Sequence, residues 1–191
     1  MQYTQKIKEA IRVAIRIHEI DQKQKRKGKD IPYITHPLVV GLILARISKD
    51  EDVVVAGILH DTVEDSVDEK KFTIGMIKKR FGEEVSRMVD DVTEKNRHVP
   101  WLERKKQNVK KIATLPKNSL LIKAADTVAN CTELISDFRR EGDDTFRRFN
   151  VPKENLIEHY VEIIEAIKKA WPTHPLRSDL DYHVSELRAM F

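Results

Sequence analysis

One cysteine, Cys131, is all the thiol in this chain of 191 residues, so no internal disulfide can form and a reducing compartment is the expected setting. Glycine is scarce too. Six residues are too few for a turn-rich all-β fold. No apolar run approaches the roughly 20 residues that span a bilayer. The start, Met1-Gln2-Tyr3-Thr4-Gln5-Lys6, has no apolar leader core, so a cytoplasmic location with no membrane partner is expected. Neither sign of charge dominates. Lys and Arg number 35 against 31 Asp and Glu, a formal +4 with a pI near 9.0. That bias suits an anionic small molecule and falls short of a nucleic-acid signature. The length suits one domain, residues 1–191, able to bury a core without disulfides or a structural metal.

The densest chemistry lies in Ala56-Gly57-Ile58-Leu59-His60-Asp61-Thr62-Val63-Glu64-Asp65. Val53 to Leu59 has no polar residue and, as a helix, must be buried on every side. Burying His60 and Asp61 at its end is costly unless something pairs with or coordinates them, and a metal ion meets that need. On one continuous helix His60, Asp61, Glu64 and Asp65 crowd together through spacings of three and four.

Around this stretch the pattern predicts an all-α fold. Apolar residues at helical spacing run from Gln5 to His18. The loop from Lys23 to Tyr33 carries five Lys or Arg between Lys23 and Lys29, either a solvated turn or a lip that grips phosphate. His36-Pro37 reads as a helix start with Pro37 at the first helical position, and Asp50-Glu51-Asp52 as the acidic start of the next helix. Thr73 caps a short helix through Arg80 that stops at Gly82, and another helix spans Glu83 to Glu94. Asn96 to Pro100 breaks the pattern. Helices then follow over Trp101 to Ala113 and Leu120 to Ile135, a polar connection over Arg139 to Asn150, and helices over Val151 to Ala170 and Leu176 to Phe191. Asp126, among apolar neighbours in mid-helix, needs a partner such as Lys123, the backbone or a metal.

These residues together resemble the HD-domain phosphohydrolases, and within them the alarmone hydrolases of the Rel/SpoT type, in the small stand-alone form without a synthetase domain. The resemblance rests on Pro32-Tyr33-Ile34-Thr35-His36-Pro37-Leu38, His60-Asp61-Thr62-Val63-Glu64-Asp65, Phe81-Gly82 with Val89-Asp90-Asp91-Val92-Thr93, Glu103-Arg104-Lys105, and Lys123-Ala124-Ala125-Asp126 with Asn130. It implies a compact helical core over about residues 5–170, with 171–191 as a helical extension. It also implies hydrolysis of the guanosine 3′,5′-bisdiphosphate alarmones of the stringent response, with release of the 3′-diphosphate. His36, His60, Asp61 and Asp126 are then the ligands of one divalent metal, for which manganese suits two imidazoles and two carboxylates, with iron or zinc as other fits. Glu64 and Asp65 become the acidic pair beside the attacking water, Glu64 accepting its proton and Asp65 orienting or sharing that task. Arg26 and Lys27 would grip diphosphate, Asn130 would touch the nucleotide, and Tyr160 would stand on the base side.

Some residues depart from the longer bacterial enzymes. Thr127 and Ala129 stand where those usually have Arg and His, and Trp101 stands where small hydrolases can carry a basic residue. Three other readings therefore stay open: an HD hydrolase for another phosphorylated nucleotide (an adenine alarmone, NADPH or a mononucleotide), a nucleotide sensor without turnover, and nucleic-acid binding through the basic loop. Retention of both Glu64 and Asp65 argues against a pure sensor, because two extra carboxylates repel phosphate. The basic loop has no interleaved aromatic platform for nucleic acid. The oligomeric state is left open.

Overall fold

The computed structural model describes residues 2–95 and 98–191. Its helices are α1 (Gln5–Ile15), α2 (Thr35–Ile47), α3 (Glu51–Leu59), α4 (Thr62–Asp65), α5 (Ile74–Phe81), α6 (Glu83–Val92), α7 (Trp101–Ile112), α8 (Lys117–Glu141), α9 (Lys153–Ala170) and α10 (Arg177–Arg188). The fold is all-α. Among the described residues no strand occurs, only an isolated bridge between Lys25 and Pro32, and no helix is long and apolar enough to cross a membrane. Of the break expected at Asn96 to Pro100, Asn96 and Arg97 lie outside the described residues, and Pro100 is the N-cap of α7.

Helix α3 is the axis of the molecule. Val53 through Leu59 are all buried, against α1, α2, α6 and α8. Three consecutive valines are mediocre helix formers, each costing up to ~0.7 kcal/mol. Burial of each aliphatic side chain returns about 1.5–3 kcal/mol, so packing decides the conformation. Two glycines bring α2 and α3 together: a methyl group at Gly41 would lie 2.7 Å from Ile58, and one at Gly57 would overlap the Leu44 side chain. That close approach fixes the spacing between the start of α2 and the end of α3.

Several boundaries differ from the sequence reading, each for a local reason. The first helix is α-helical only to Ile15 and continues as a wider π turn over Arg16–Asp21, which keeps Ile17 and His18 buried as the chain leaves for the basic loop. Helix α2 starts at Thr35, so His36 lies inside its first turn and not before it. A tight turn sets this up, with the His36 N–H donating to the Tyr33 carbonyl at 2.9 Å and the Thr35 hydroxyl to the Pro32 carbonyl at 2.8 Å. The stretch from Ala56 to Asp65 is not one helix. Helix α3 ends at Leu59, and its last carbonyls are taken by side chains, the Thr62 hydroxyl on Leu59 at 2.6 Å and the His60 ring on Gly57 at 2.8 Å. Helix α8 runs well beyond Leu120 to Ile135, because Pro116 serves as its N-cap and its polar end is held by ion pairs at the buried Asp137. The polar connection that follows is partly helical, a 3-10 segment over Gly142–Arg148.

Candidate active site

The ends of α2 and α3 and the middle of α8 meet at a small buried cluster. One ligand atom each from His36, His60 and Asp126 lie within 4.8 Å of one another. His36 Nε2 is 3.2 Å from Asp126 Oδ1 and 3.8 Å from Asp61 Oδ2, and His60 Nε2 is 2.9 Å from Asp61 Oδ2 and 3.9 Å from Asp126 Oδ1. Three of the four residues expected as ligands, His36, His60 and Asp126, are thus brought to one point, and Asp61 stands beside both imidazoles. The His60 Nδ1–H donates to the Gly57 carbonyl, which turns the Nε2 lone pair toward the carboxylates. Nε2 is buried, and its 2.9 Å approach to Asp61 Oδ2 lacks hydrogen-bond geometry, so the nitrogen is left without a formed hydrogen bond. An orphaned imidazole nitrogen facing two carboxylates is the donor set a divalent cation completes. The electrostatics agree. Burial opposes a charged His60, yet Asp61 and then Asp126 outweigh it and lift the ring to about 9. Burial opposes a charged Asp126 as well, but Lys123, 2.9 Å away, and the two imidazoles hold its carboxyl well below the usual range. The point therefore holds positive charge, as a proton or as a metal.

Around the cluster is a cavity of about 200 Å³ lined by Tyr33, Glu64, Lys105, Asn130 and His159 among others. Tyr33 is more than packing: its hydroxyl donates to Asp61. The two acidic residues of α4 have different surroundings. Glu64 lines the cavity and accepts from the Glu94 backbone N–H at 2.5 Å. Asp65 turns toward the π turn and the loop after it, accepting from Gln24 Nε2 at 3.0 Å, with His18 Nδ1 3.8 Å away.

The residues expected to bind substrate border a second cavity of about 270 Å³, with Tyr33 and Asn130 shared between the two. Asn130 Nδ2 donates to Asp126 at 2.6 Å, and Asn130 Oδ1 accepts from Arg26 at 3.0 Å. Arg26, Lys27 and Tyr160 line this second cavity. Charges here are already compensated: Arg26 Nε and Lys29 Nζ pair with Glu133 at 2.8 and 2.5 Å, and Lys29 and Arg148 pair with Asp137. Gly28, with φ +69°, lies against the Arg148 side chain, where a methyl would come within 2.8 Å, and Lys27 lies over the Phe149 ring. Thr127 is buried with its hydroxyl on the Lys123 carbonyl, and Ala129 is buried; neither lines these two cavities. Trp101 is half-buried and meets His159 edge-on at 5.5 Å. Sequence reasoning gave no role to His18, Glu94, Lys105 or His159. For Lys105 a signal existed, since it closes the Glu103-Arg104-Lys105 motif.

A model of the HD domain matches residues 10–150. The chain belongs to the HD-domain family. Its relatives include the mouse (Mus musculus) guanosine-3′,5′-bis(diphosphate) 3′-pyrophosphohydrolase MESH1, 35% identical over 119 residues, and the human (Homo sapiens) MESH1, 35% identical over 128 residues. The matched stretch covers 61% of this HD chain and 64% of the mouse protein, and 66% of this chain and 68% of the human one. A solved structure, described as a metazoan orthologue of SpoT that hydrolyses ppGpp and plays a role in starvation responses, superposes with a TM-score of 0.76. It covers 100% of this chain and 99% of its own at 22% identity, and so speaks for the HD fold alone.

Proposed function

We propose that this chain is a metal-dependent phosphohydrolase that removes the 3′-diphosphate from guanosine 3′-diphosphate 5′-di- or triphosphate, releasing diphosphate. The observation that carries the reading is the orphaned Nε2 of His60, set among His36, Asp61 and Asp126 in the same cavity as the Glu64 carboxylate. The names of the mouse and human relatives supply the substrate.

In this reading His36, His60, Asp61 and Asp126 hold the metal, and manganese suits the mixed imidazole and carboxylate set. A bound divalent ion would lower the pKa of water and neutralise charge on the phosphoryl oxygens. Glu64 takes the proton of the attacking water, whose oxygen bonds to the inner phosphorus as the bond to the ribose 3′ oxygen breaks. That oxygen leaves with the electron pair and takes up a proton. Asp65, tethered to Gln24, orients α4 and with it Glu64. Asn130 couples the metal ligand Asp126 to Arg26, Arg26 and Lys27 grip phosphate of the nucleotide, and Tyr160 stands on its base side. The domain is read as residues 1–191, since α10 packs on α8 and α9.

The test is manganese-supplemented hydrolysis of guanosine tetraphosphate, its adenine analogue, NADPH and simple mononucleotides, with released diphosphate and phosphate read separately. Diphosphate from the guanosine compound, lost on Glu64→Ala, is the expected result. Phosphate from another member of the panel would move the substrate. No turnover of any of these compounds with metal bound would leave either a sensor or a hydrolase for a substrate outside the panel.

A further inference from the structure

The cavity around the metal cluster is larger than an ion and an attacking water require. It measures about 200 Å³, and one water takes about 30 Å³ of liquid. The α7 side of this space is basic. Lys105, Asn108 and Lys111 follow one another at intervals of three along α7 and all line the cavity, joined by Lys123 from α8 and His159 from α9. His159 is only 9% exposed, and its Nδ1 has no hydrogen-bond partner. A buried ring nitrogen left unsatisfied beside a cavity has room for a partner there.

The charge on this side points to the kind of ligand. Burial, then Lys123 and Arg104, pulls Lys105 down to about 8, and burial, then Lys105 and Lys123, pulls His159 down to about 3. Burial is the larger cause in each, and the neighbouring cations add to it. Glu94 is the carboxylate beside Lys105, at 2.6 Å, but it is shared with Arg104 and with Asn108 at 2.7 Å. A compact anion would satisfy the lysines by charge, and the neutral His159 would present Nδ1–H as a donor.

Resting on the hydrolase reading above, we propose that the α7 side of the cavity seats the outer phosphoryl group of a diphosphate ester whose inner phosphoryl lies at the metal cluster. Lys105, Lys111 and His159 then determine the preference for a diphosphate over a monophosphate. A monophosphate ester would leave these donors unfilled, while a diphosphate satisfies both ends of the cavity at once.

Two measurements test this. The first compares kcat/KM for guanosine 3′-diphosphate 5′-diphosphate and guanosine 3′-monophosphate 5′-diphosphate in wild type, Lys105→Met, Lys105→Arg and Lys111→Met. A lost charge-assisted hydrogen bond is expected to cut the diphosphate value by about 10- to 100-fold through KM and to change the monophosphate value by less than about threefold. Lys105→Arg should keep most of the preference. Equal losses on both esters would overturn the seat. The second measurement needs no turnover: the shift in Tm given by inorganic diphosphate and by inorganic phosphate at a fixed excess of manganese. Wild type should shift more with diphosphate, and Lys105→Met and Lys111→Met should each erase the difference. Equal shifts in wild type would overturn the seat. A diphosphate-selective shift in a protein that hydrolyses neither ester would keep the seat and remove the hydrolase reading.

Discussion

The two neighbouring cavities handle charge in opposite ways. In the second cavity Arg26, Lys29 and Arg148 face Glu133 and Asp137, and each cation has a carboxylate within contact. In the first, an imidazole nitrogen is orphaned, His60 is lifted to about 9, Lys105 falls to about 8, and a second buried imidazole at His159 has an unmet donor or acceptor. A site whose charges cancel internally can hold its shape alone. The first cavity also holds ion pairs, Lys105 with Glu94 and Lys123 with Asp126, but two of its imidazole nitrogens are unmet. In the proposed reading it takes the reacting diphosphate while the second cavity takes the rest of the nucleotide.

The largest effect should come from removing the orphaned nitrogen. His60→Ala is expected to abolish metal binding and activity together, read by metal content after gel filtration and by diphosphate release. Glu64→Ala should keep the metal and lose about 10²- to 10⁴-fold in kcat, the usual worth of a general base. Equal metal loss in both variants would erase the division of labour between ligand and base. A smaller effect belongs to the compensated cavity. Replacing Arg26 and Lys27 together by Ala should raise KM by about tenfold with kcat little changed, as expected of uniform binding. Unchanged kinetics would return the basic loop to a solvated turn.

The smallest effect concerns pH in metal-free protein. The His60 ring ordinarily titrates at 6.5 and in the fold at about 9. A raised pKa stabilises the fold fully below the unfolded value and loses that stabilisation as pH rises through the folded one. Metal-free wild type should therefore lose stability to urea from about pH 6.5 to about pH 9 relative to His60→Gln, which has no such group. Identical slopes for the two proteins would mean that the cluster holds no proton. Metal binding displaces this proton, so isothermal titrations in buffers of different ionisation enthalpy should reveal its release.

Much of this arrangement was legible beforehand. The all-apolar run from Val53 to Leu59 could only be a buried helix, and His36, His60, Asp61 and Asp126 were chosen from their setting and from the family pattern. What could not be read was the break after Leu59. Side-chain bonds from His60 and Thr62 to the last carbonyls are local geometry that periodicity does not encode. The C-terminal end of α8 was equally hidden, because ion pairs at Asp137 come from Lys29, which is distant in sequence, and from Arg148 beyond the following turn. The change from α to π winding after Ile15 leaves the apolar pattern intact, so no sequence signal announced it. The same limit applied to Thr127 and Ala129. They stand close to Asp126 in sequence yet are buried and line neither cavity, since helix phase and not sequence proximity decides what lines a site.

The glycine contacts between α2 and α3 have a consequence for the ion itself. With Gly41 against Ile58 and Gly57 against Leu44, the two helices pack closely beside His36 and His60, and that packing sets the distance between the two rings. Such a socket is built before the ion arrives and adapts little to it. Ionic radius, more than ligand identity, should then rank the metals that support turnover. Gly57→Ala should blur that ranking, since wedging the helices apart changes the gauge by which the ions are sorted.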